Sequence, residues 1–283
     1  MNKVKIKTAR LSVISNVSLL LIKLIAGIIS GSVSIISEAI HSSLDLVAAL
    51  IAFFSVKISD NPPDSKHPYG HGKIENISGV IEALLIFLAA GWIIWEAVKK
   101  MLGENIQLEL IGAGVAVMVI SAVTNAIVSK KLYKVAKETN SIALEADALH
   151  LRTDVYTSLG VAAGPALIML TGMKWLDPII AIIVALFILF ESYKLLKRAF
   201  LPLLDTAWTD EDIANIEERL KNLDVNYHDL RTRVAGAYRF VDLHIQIPEN
   251  VSVGEAHKYC DKIEDDLKSV HKNMNITIHV EPA

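Results

Sequence analysis

The sequence has little of what soluble metal-binding and redox proteins use, beginning with cysteine. Cys260 is the single cysteine among 283 residues, so the chain forms no intramolecular disulfide and carries no Cys-x-x-Cys motif. The chain also lacks a strongly basic character, because its net charge is -3 at pH 7. That balance leaves no electrostatic footprint for nucleic acid. Any metal chemistry must therefore use His, Asp and Glu.

Charged residues are scarce over most of the chain, and 52% of all residues are hydrophobic, with a mean hydropathy of +0.42. This is too apolar for an ordinary soluble enzyme of this length. A bilayer core about 30 Å thick needs a helix of roughly 20 apolar residues. Five such runs are present, near residues 11–30, 33–58, 77–99, 108–128 and 175–195. The sequence therefore predicts an integral membrane protein.

A sixth membrane helix is predicted over 142–171, although only its second half is apolar, because an even number of spans requires it. In a six-helix arrangement, 14 Lys and Arg residues flank the helices on the side of the N-terminus and three lie opposite. The positive-inside rule then places both termini in the cytoplasm of a multi-pass protein of the cell membrane. The basic start lacks a clear cleavage pattern, so we interpret the first apolar run as a retained helix.

The polarity of the chain changes near residue 205. Residues 205–283 hold 16 of the 31 acidic residues and only 9 of the 28 basic ones. We therefore predict two domains, an all-α six-helix membrane bundle over 1–204 and an acidic cytoplasmic domain over 205–283. The periodicity of the second region predicts the order α-β-β-α-β, a ferredoxin-like α+β fold. Because a core of about 75 residues is only marginally stable, we expect dimerisation or bound metal to stabilise it.

Two His-x-x-x-Asp pairs are the strongest functional signal in the sequence. They are His41 with Asp45 on the predicted second helix, and His150 with Asp154 on the fifth. A spacing of four residues places both members of a pair on one helical face. Two imidazoles and two carboxylates match the tetrahedral preference of Zn²⁺. Ionisable groups at membrane depth cost about 2.5–3.5 kcal/mol each on insertion scales, so function is the default hypothesis.

Other readings of the four residues remain open. They can be polar packing contacts or proton-relay groups, or they can belong to a membrane metal sensor that never moves the ion. An intramembrane metal hydrolase would need three protein ligands, an open position for water and a general base, and four strong ligands disfavour an enzyme. Arg152 should repel a cation unless it pairs with an acid such as Asp147 or Glu38.

Two further clusters lie outside the apolar runs. In the loop after the second helix, Asp64, His67 and His71 can converge on one ion, and neighbouring glycines allow the loop to close tightly. A solvated turn is an equally good reading of that loop. In the acidic region, His279 and Glu281 share one face of the last predicted strand by period-two alternation. His244 on an alternating strand and His257 on the following helix can reach the same face, and we expect the histidines of this region to form a metal-sensing cluster there.

Six segments carry a resemblance to a known family over nearly the whole chain. They are Gly31-Ser32-Val33-Ser34 through Ser37-Glu38-Ala39, the His41/Asp45 pair, His71-Gly72-Lys73-Ile74-Glu75, Glu145 through His150 with Asp154, His228 through Arg233, and the closing His279-Val280-Glu281-Pro282. In these segments the chain resembles the cation diffusion facilitator family, whose members export zinc and related metal ions. The resemblance implies a homodimeric proton-coupled antiporter that switches between inward-open and outward-open states.

The resemblance also implies which residues bind metal. The family's transport site falls on His41, Asp45, His150 and Asp154, its loop site on Asp64, His67 and His71, and its cytoplasmic two-metal site on His228, His244, His257, His279 and Glu281. Only His271 among the nine histidines is left over. Zn²⁺ is the expected substrate and regulatory ligand, with Cd²⁺, Co²⁺, Fe²⁺ and Mn²⁺ as alternatives. Family members often have Asp at position 41, which bears on metal selectivity, and Asp at position 281, so that Glu there can loosen the tail site.

Overall fold

A computed structural model describes residues 2–30, 33–102, 112–173, 175–270 and 273–283. The chain divides into two compact units, Met1–Phe200 and Leu201–Ala283. The first unit consists of long helices, which we number α1 (Asn2–Ser30), α2 (Val33–Ser59), α3 (Lys73–Met101), α4 (Gly112–Thr139), α5 (Ile142–Thr171) and α6 (Leu176–Phe200).

Five helices of the described residues are long and apolar enough to cross a membrane. They cover Lys3–Ile29, Glu38–Ser59, Lys73–Met101, Ala116–Thr139 and Leu176–Leu204. The predicted sixth span forms helix α5, which is 30 residues long. It is not among these five helices, so a sixth span stays a prediction. The predicted start of the fourth span, near residue 108, lies outside the described residues.

Helices of the first unit pack in close pairs, α1 on α2, α3 on α6 and α4 on α5. At Gly79 of α3, a Cβ atom would lie only 2.5 Å from Ile142 and 3.0 Å from Ala199, so glycine is required for this approach to α5 and α6. A serine hydroxyl also links α6 to α3, since Ser192 Oγ donates to the Ala83 carbonyl at 2.9 Å. Small residues and interhelical hydrogen bonds are the usual means of helix association in lipid.

One end of the first unit is held by a buried ionic network. Lys5 Nζ of α1 lies 2.9 Å from both Asp60 Oδ1 and Glu75 Oε1. Ser59 Oγ donates to Glu75 Oε1 at 2.8 Å, and Ser141 Oγ donates to the other Glu75 oxygen. The Lys5 and Glu75 side chains are 3% and 1% exposed. The network therefore ties the start of α1 to the end of α2 and to the starts of α3 and α5.

The second unit is a three-stranded sheet with two helices. After a 3-10 turn (Leu201–Leu204), it contains α7 (Asp210–Asn222), β1 (Tyr227–Ala235), β2 (Tyr238–Ile247), α8 (Val253–Val270) and β3 (Met274–Pro282). Thr209 caps α7, because its hydroxyl accepts from the Asp212 amide at 3.2 Å. The strand order is β1-β2-β3, with β1 antiparallel and β3 parallel to β2.

The core of this unit lies on one face of the sheet. Alternate residues of β2, including Leu243 and Ile245, are buried together with Ile216 of α7 and with Ile263 and Leu267 of α8. Residues between them on β2 point to the opposite face, since strand side chains alternate. The sheet therefore has one face packed on the core and a second face that carries polar side chains.

We predict that Lys5→Met lowers the free energy of unfolding by about 3–5 kcal/mol, because it leaves two buried carboxylates without their cation. Thermal unfolding of the detergent-solubilised protein measures the change. Lys134→Met is the matched control, since Lys134 pairs with Glu138 at 3.9 Å on the exposed surface, where a pair contributes about 1 kcal/mol or less. Equal melting temperatures for the two variants would contradict the assignment.

Candidate functional site

The four residues of the two His-x-x-x-Asp pairs face one another inside the first unit, and we call them the quartet. His150 Nε2 lies 3.2 Å from Asp45 Oδ1. His41 Nε2 lies 3.8 Å from the same oxygen and 4.0 Å from Asp154 Oδ1. In a tetrahedral zinc site with bonds of about 2.0–2.2 Å, ligand atoms are about 3.3–3.6 Å apart. Ligand atoms of His41, Asp45 and Asp154 all lie within 4.8 Å of one another, and His150 joins this group through its contact with Asp45.

The quartet opens into a cavity of about 560 Å³, with Leu85 and Trp92 of α3 in its apolar wall. The His41 side chain is 53% exposed, whereas the other three quartet side chains are largely buried. Asn125 of α4 donates from Nδ2 to Asp154 Oδ2 at 3.4 Å and so orients that carboxylate. Sequence reasoning missed Asn125, although an amide within an apolar run is a signal that could have found it.

A lysine reaches the same cavity from α1. Lys23 Nζ lies 3.1 Å from Glu38 Oε2 and donates to Ser42 Oγ at 2.8 Å, and Lys23 lines the cavity beside the quartet. Glu38 therefore pairs with Lys23 and not with Arg152. The Arg152 guanidinium instead lies over the Tyr133 ring, 4.2 Å from its centroid, which is a favourable cation–π geometry.

The loop between α2 and α3 brings Asp64, His67 and His71 together. His67 Nδ1 lies 3.2 Å from Asp64 Oδ1, and His71 Nε2 lies 3.4 Å from Asp64 Oδ2. Gly70 has a φ of +81°, and its amide donates to the His67 carbonyl at 2.9 Å. The backbone amides of His67 and Lys66 hold the pKa of the Asp64 carboxyl below its usual range. Asp64 is therefore an anion at neutral pH.

Three histidines lie side by side on the polar face of the second unit's sheet, and we call them the histidine row. His228 of β1 pairs in register with His244 of β2, which pairs with His279 of β3. Glu281 approaches all three, with contacts of 3.2 Å to His228, 3.0 Å to His244 and 3.6 Å to His279. The row offers several nitrogen ligands around one carboxylate.

His257 is not brought to the histidine row within one chain. It lies on α8, which packs on the core face of the sheet through Ile263 and Leu267, and its nearest charged partner is Asp261 at 3.8 Å. The row lies on the opposite face. His271 lies outside the described residues.

Long apolar helices that group candidate metal ligands, together with a His/Glu cluster in a small α+β unit, point to the class of multi-pass metal-ion transporters. Comparison with models of known protein families supports this class. Residues 9–204 match the cation efflux transmembrane domain, and residues 208–283 match the cation efflux protein cytoplasmic domain. The chain therefore belongs to the cation diffusion facilitator family.

Individual relatives are similar over nearly their full length. An uncharacterized transporter of Synechocystis is 35% identical over 92% of this chain and 85% of its own. The cation-efflux pump FieF of Shewanella oneidensis is 30% identical over 97% of this chain and 93% of its own. A solved structure of the candidate zinc transporter CzrB is 34% identical over 27% of this chain and 98% of its own, with a TM-score of 0.25.

We predict that Glu281→Gln removes one tightly bound zinc ion per chain, because it deletes the carboxylate that all three histidines of the row approach. Equilibrium dialysis of the purified full-length protein measures the bound zinc. Glu249→Gln is the control, since Glu249 is an exposed residue outside the row. Unchanged zinc stoichiometry in Glu281→Gln would rule out the row as a metal site.

Proposed function

We propose that the protein exports divalent transition metal ions, with Zn²⁺ as the first candidate, from the cytoplasm in exchange for protons. The observation that carries the proposal is the convergence of the quartet within a cavity of a helical membrane unit. Two carboxylates match the charge of a divalent ion, and two imidazoles favour zinc over magnesium or calcium. Cd²⁺, Co²⁺, Fe²⁺ and Mn²⁺ are alternative substrates of the same ligand set.

Exchange with protons follows from the chemistry of the imidazole ring. A histidine binds metal only through a neutral ring nitrogen, and its reference pKa is about 6.5. A proton and a metal ion therefore compete for the same atom in His41 and in His150. In an alternating-access cycle, cytoplasmic zinc enters the quartet, the helices rock outward, and protons from outside displace the ion.

The surroundings of the quartet favour transport over hydrolysis. Four protein ligands fill a tetrahedral coordination sphere, whereas a catalytic zinc keeps a position for water. We propose that α5 crosses the bilayer with the other five helices, so that the domain over residues 1–204 has six spans. The excess of Lys and Arg on the N-terminal side supports two cytoplasmic termini.

We further propose that the domain over residues 205–283 is a metal-binding dimerisation domain. It is small for an independent core, and its sheet carries the histidine row on the face away from that core. Metal bound at the row would order a homodimer when cytoplasmic zinc is high. The cluster of Asp64, His67 and His71 would hold a further ion on the same side of the membrane.

A flux assay tests transport directly. Purified protein in vesicles with an entrapped zinc-sensitive dye should take up zinc when a proton gradient is applied. Asp154→Asn should lower the rate at least about tenfold, because a charged ligand is replaced by a neutral one. The control is Glu138→Gln, an exposed carboxylate on α4. Zinc binding without flux, or flux that survives Asp154→Asn, would overturn the proposal.

Regulation by the histidine row is tested separately. His244→Ala should leave the transport rate at saturating zinc nearly unchanged. It should make that rate depend less steeply on zinc concentration than in wild type, because zinc would no longer order the dimer. His257→Ala is a matched comparison on the other face of the sheet. A zinc dependence that is the same in wild type and in His244→Ala would remove the regulatory role.

A further inference from the structure

Lys23 is a charged residue inside the first unit that the proposed transport cycle does not use. Its side chain is 8% exposed, and a lysine at membrane depth is costly unless it is paired. Its ammonium binds Glu38 and Ser42 of α2 at 3.1 and 2.8 Å. These partners lie three residues before and one residue after His41, so Lys23 holds the helical turn that carries this ligand.

The charge of Lys23 also acts on the quartet itself. Lys23 lines the same cavity as the four ligands, and its bond to Ser42 places its ammonium beside the residue that follows His41 on α2. The quartet has two carboxylates, so a nearby positive charge stabilises it when no metal is bound. When a divalent ion is bound, the same ammonium repels it. The Glu38 carboxylate, by contrast, attracts the ion.

We infer that Lys23 is a tethered cation that weakens the binding of metal at the quartet and thereby speeds its release. The inference rests on the proposed function, because it takes the quartet as the transport site. An exporter has to release its ion on every turn, so a ligand set that binds too tightly transports slowly. Lys23 lowers the affinity without occupying a coordination position, and Glu38 limits the strength of this effect.

The direction of the change in zinc affinity distinguishes this electrostatic role of Lys23 from a purely structural one. If Lys23 only braces α1 against α2, its loss leaves His41 poorly positioned and binding becomes weaker. If its charge opposes the ion, the neutral Lys23→Met binds zinc more tightly, by about tenfold for one unit charge acting through a partly screened cavity. Lys23→Arg keeps the charge and should stay near the wild-type affinity.

The experiment titrates the purified full-length protein with Zn²⁺ against a competing zinc-chelating dye. Asp154→Asn, titrated in parallel, identifies the binding step that belongs to the quartet. For Lys23→Met we expect a lower Kd in that step, together with a lower KM and a lower maximal rate in vesicle flux. Lys100→Met is the matched control, because Lys100 also pairs with a carboxylate at 3.1 Å, that of Asp177, and is not in the cavity lining.

Glu38→Gln leaves Lys23 in place and should change the zinc Kd in the opposite direction. Without its partner the ammonium repels the ion more strongly, so the Kd should rise, and the double variant Lys23→Met/Glu38→Gln should return toward wild type. An unchanged or higher Kd in Lys23→Met, when Asp154→Asn abolishes the quartet step, would show the inference alone to be wrong. If Asp154→Asn leaves binding and flux intact, the proposed function fails and the inference falls with it.

Discussion

Pairing of charges in a low-dielectric interior is the constraint on which the first unit depends. Two buried lysines of the described residues lie against an acid, Lys5 against Glu75 and Lys23 against Glu38. The quartet follows the same rule, with His150 against Asp45. The first two pairs carry their own counter-charge, whereas the imidazoles of the quartet must be neutral to bind metal, which leaves its two carboxylates without a counter-charge. That surplus of negative charge is what suits the quartet to the proposed role of binding a divalent ion.

Local periodicity explains why much of the site could be predicted from the sequence. The four-residue spacing in each His-x-x-x-Asp pair fixes both side chains on one helical face, whatever the surrounding fold. Alternation along β3 likewise places His279 and Glu281 together, and they lie 3.6 Å apart. Both arguments use only neighbours along one element. The packing of α2 against α5 had to be supplied by the resemblance or by the structure.

Residues whose roles depend on a neighbouring element were the ones that sequence reasoning missed or left open. Lys23 stands alone in the apolar run of α1, and nothing in its spacing points to Glu38 on α2. His257 was expected to reach the face that carries the histidine row, but α8 packs on the other face of the sheet. The partner of Arg152 proved to be an aromatic ring on α4, which no charge-matching argument suggests.

The histidine at position 41 changes the charge balance of the quartet relative to the aspartate that the resemblance associates with this position. With three aspartates and one histidine, a bound divalent ion would leave one negative charge. With His41, two carboxylates and one divalent ion give a neutral site. The positive charge of Lys23 is then opposed in the cavity by Glu38. A proton on the ring nitrogen of His41, the most exposed of the four side chains, would remove one ligand and give the occupied quartet a net charge of +1. A low-dielectric cavity disfavours that net charge, so protonation favours release of the ion.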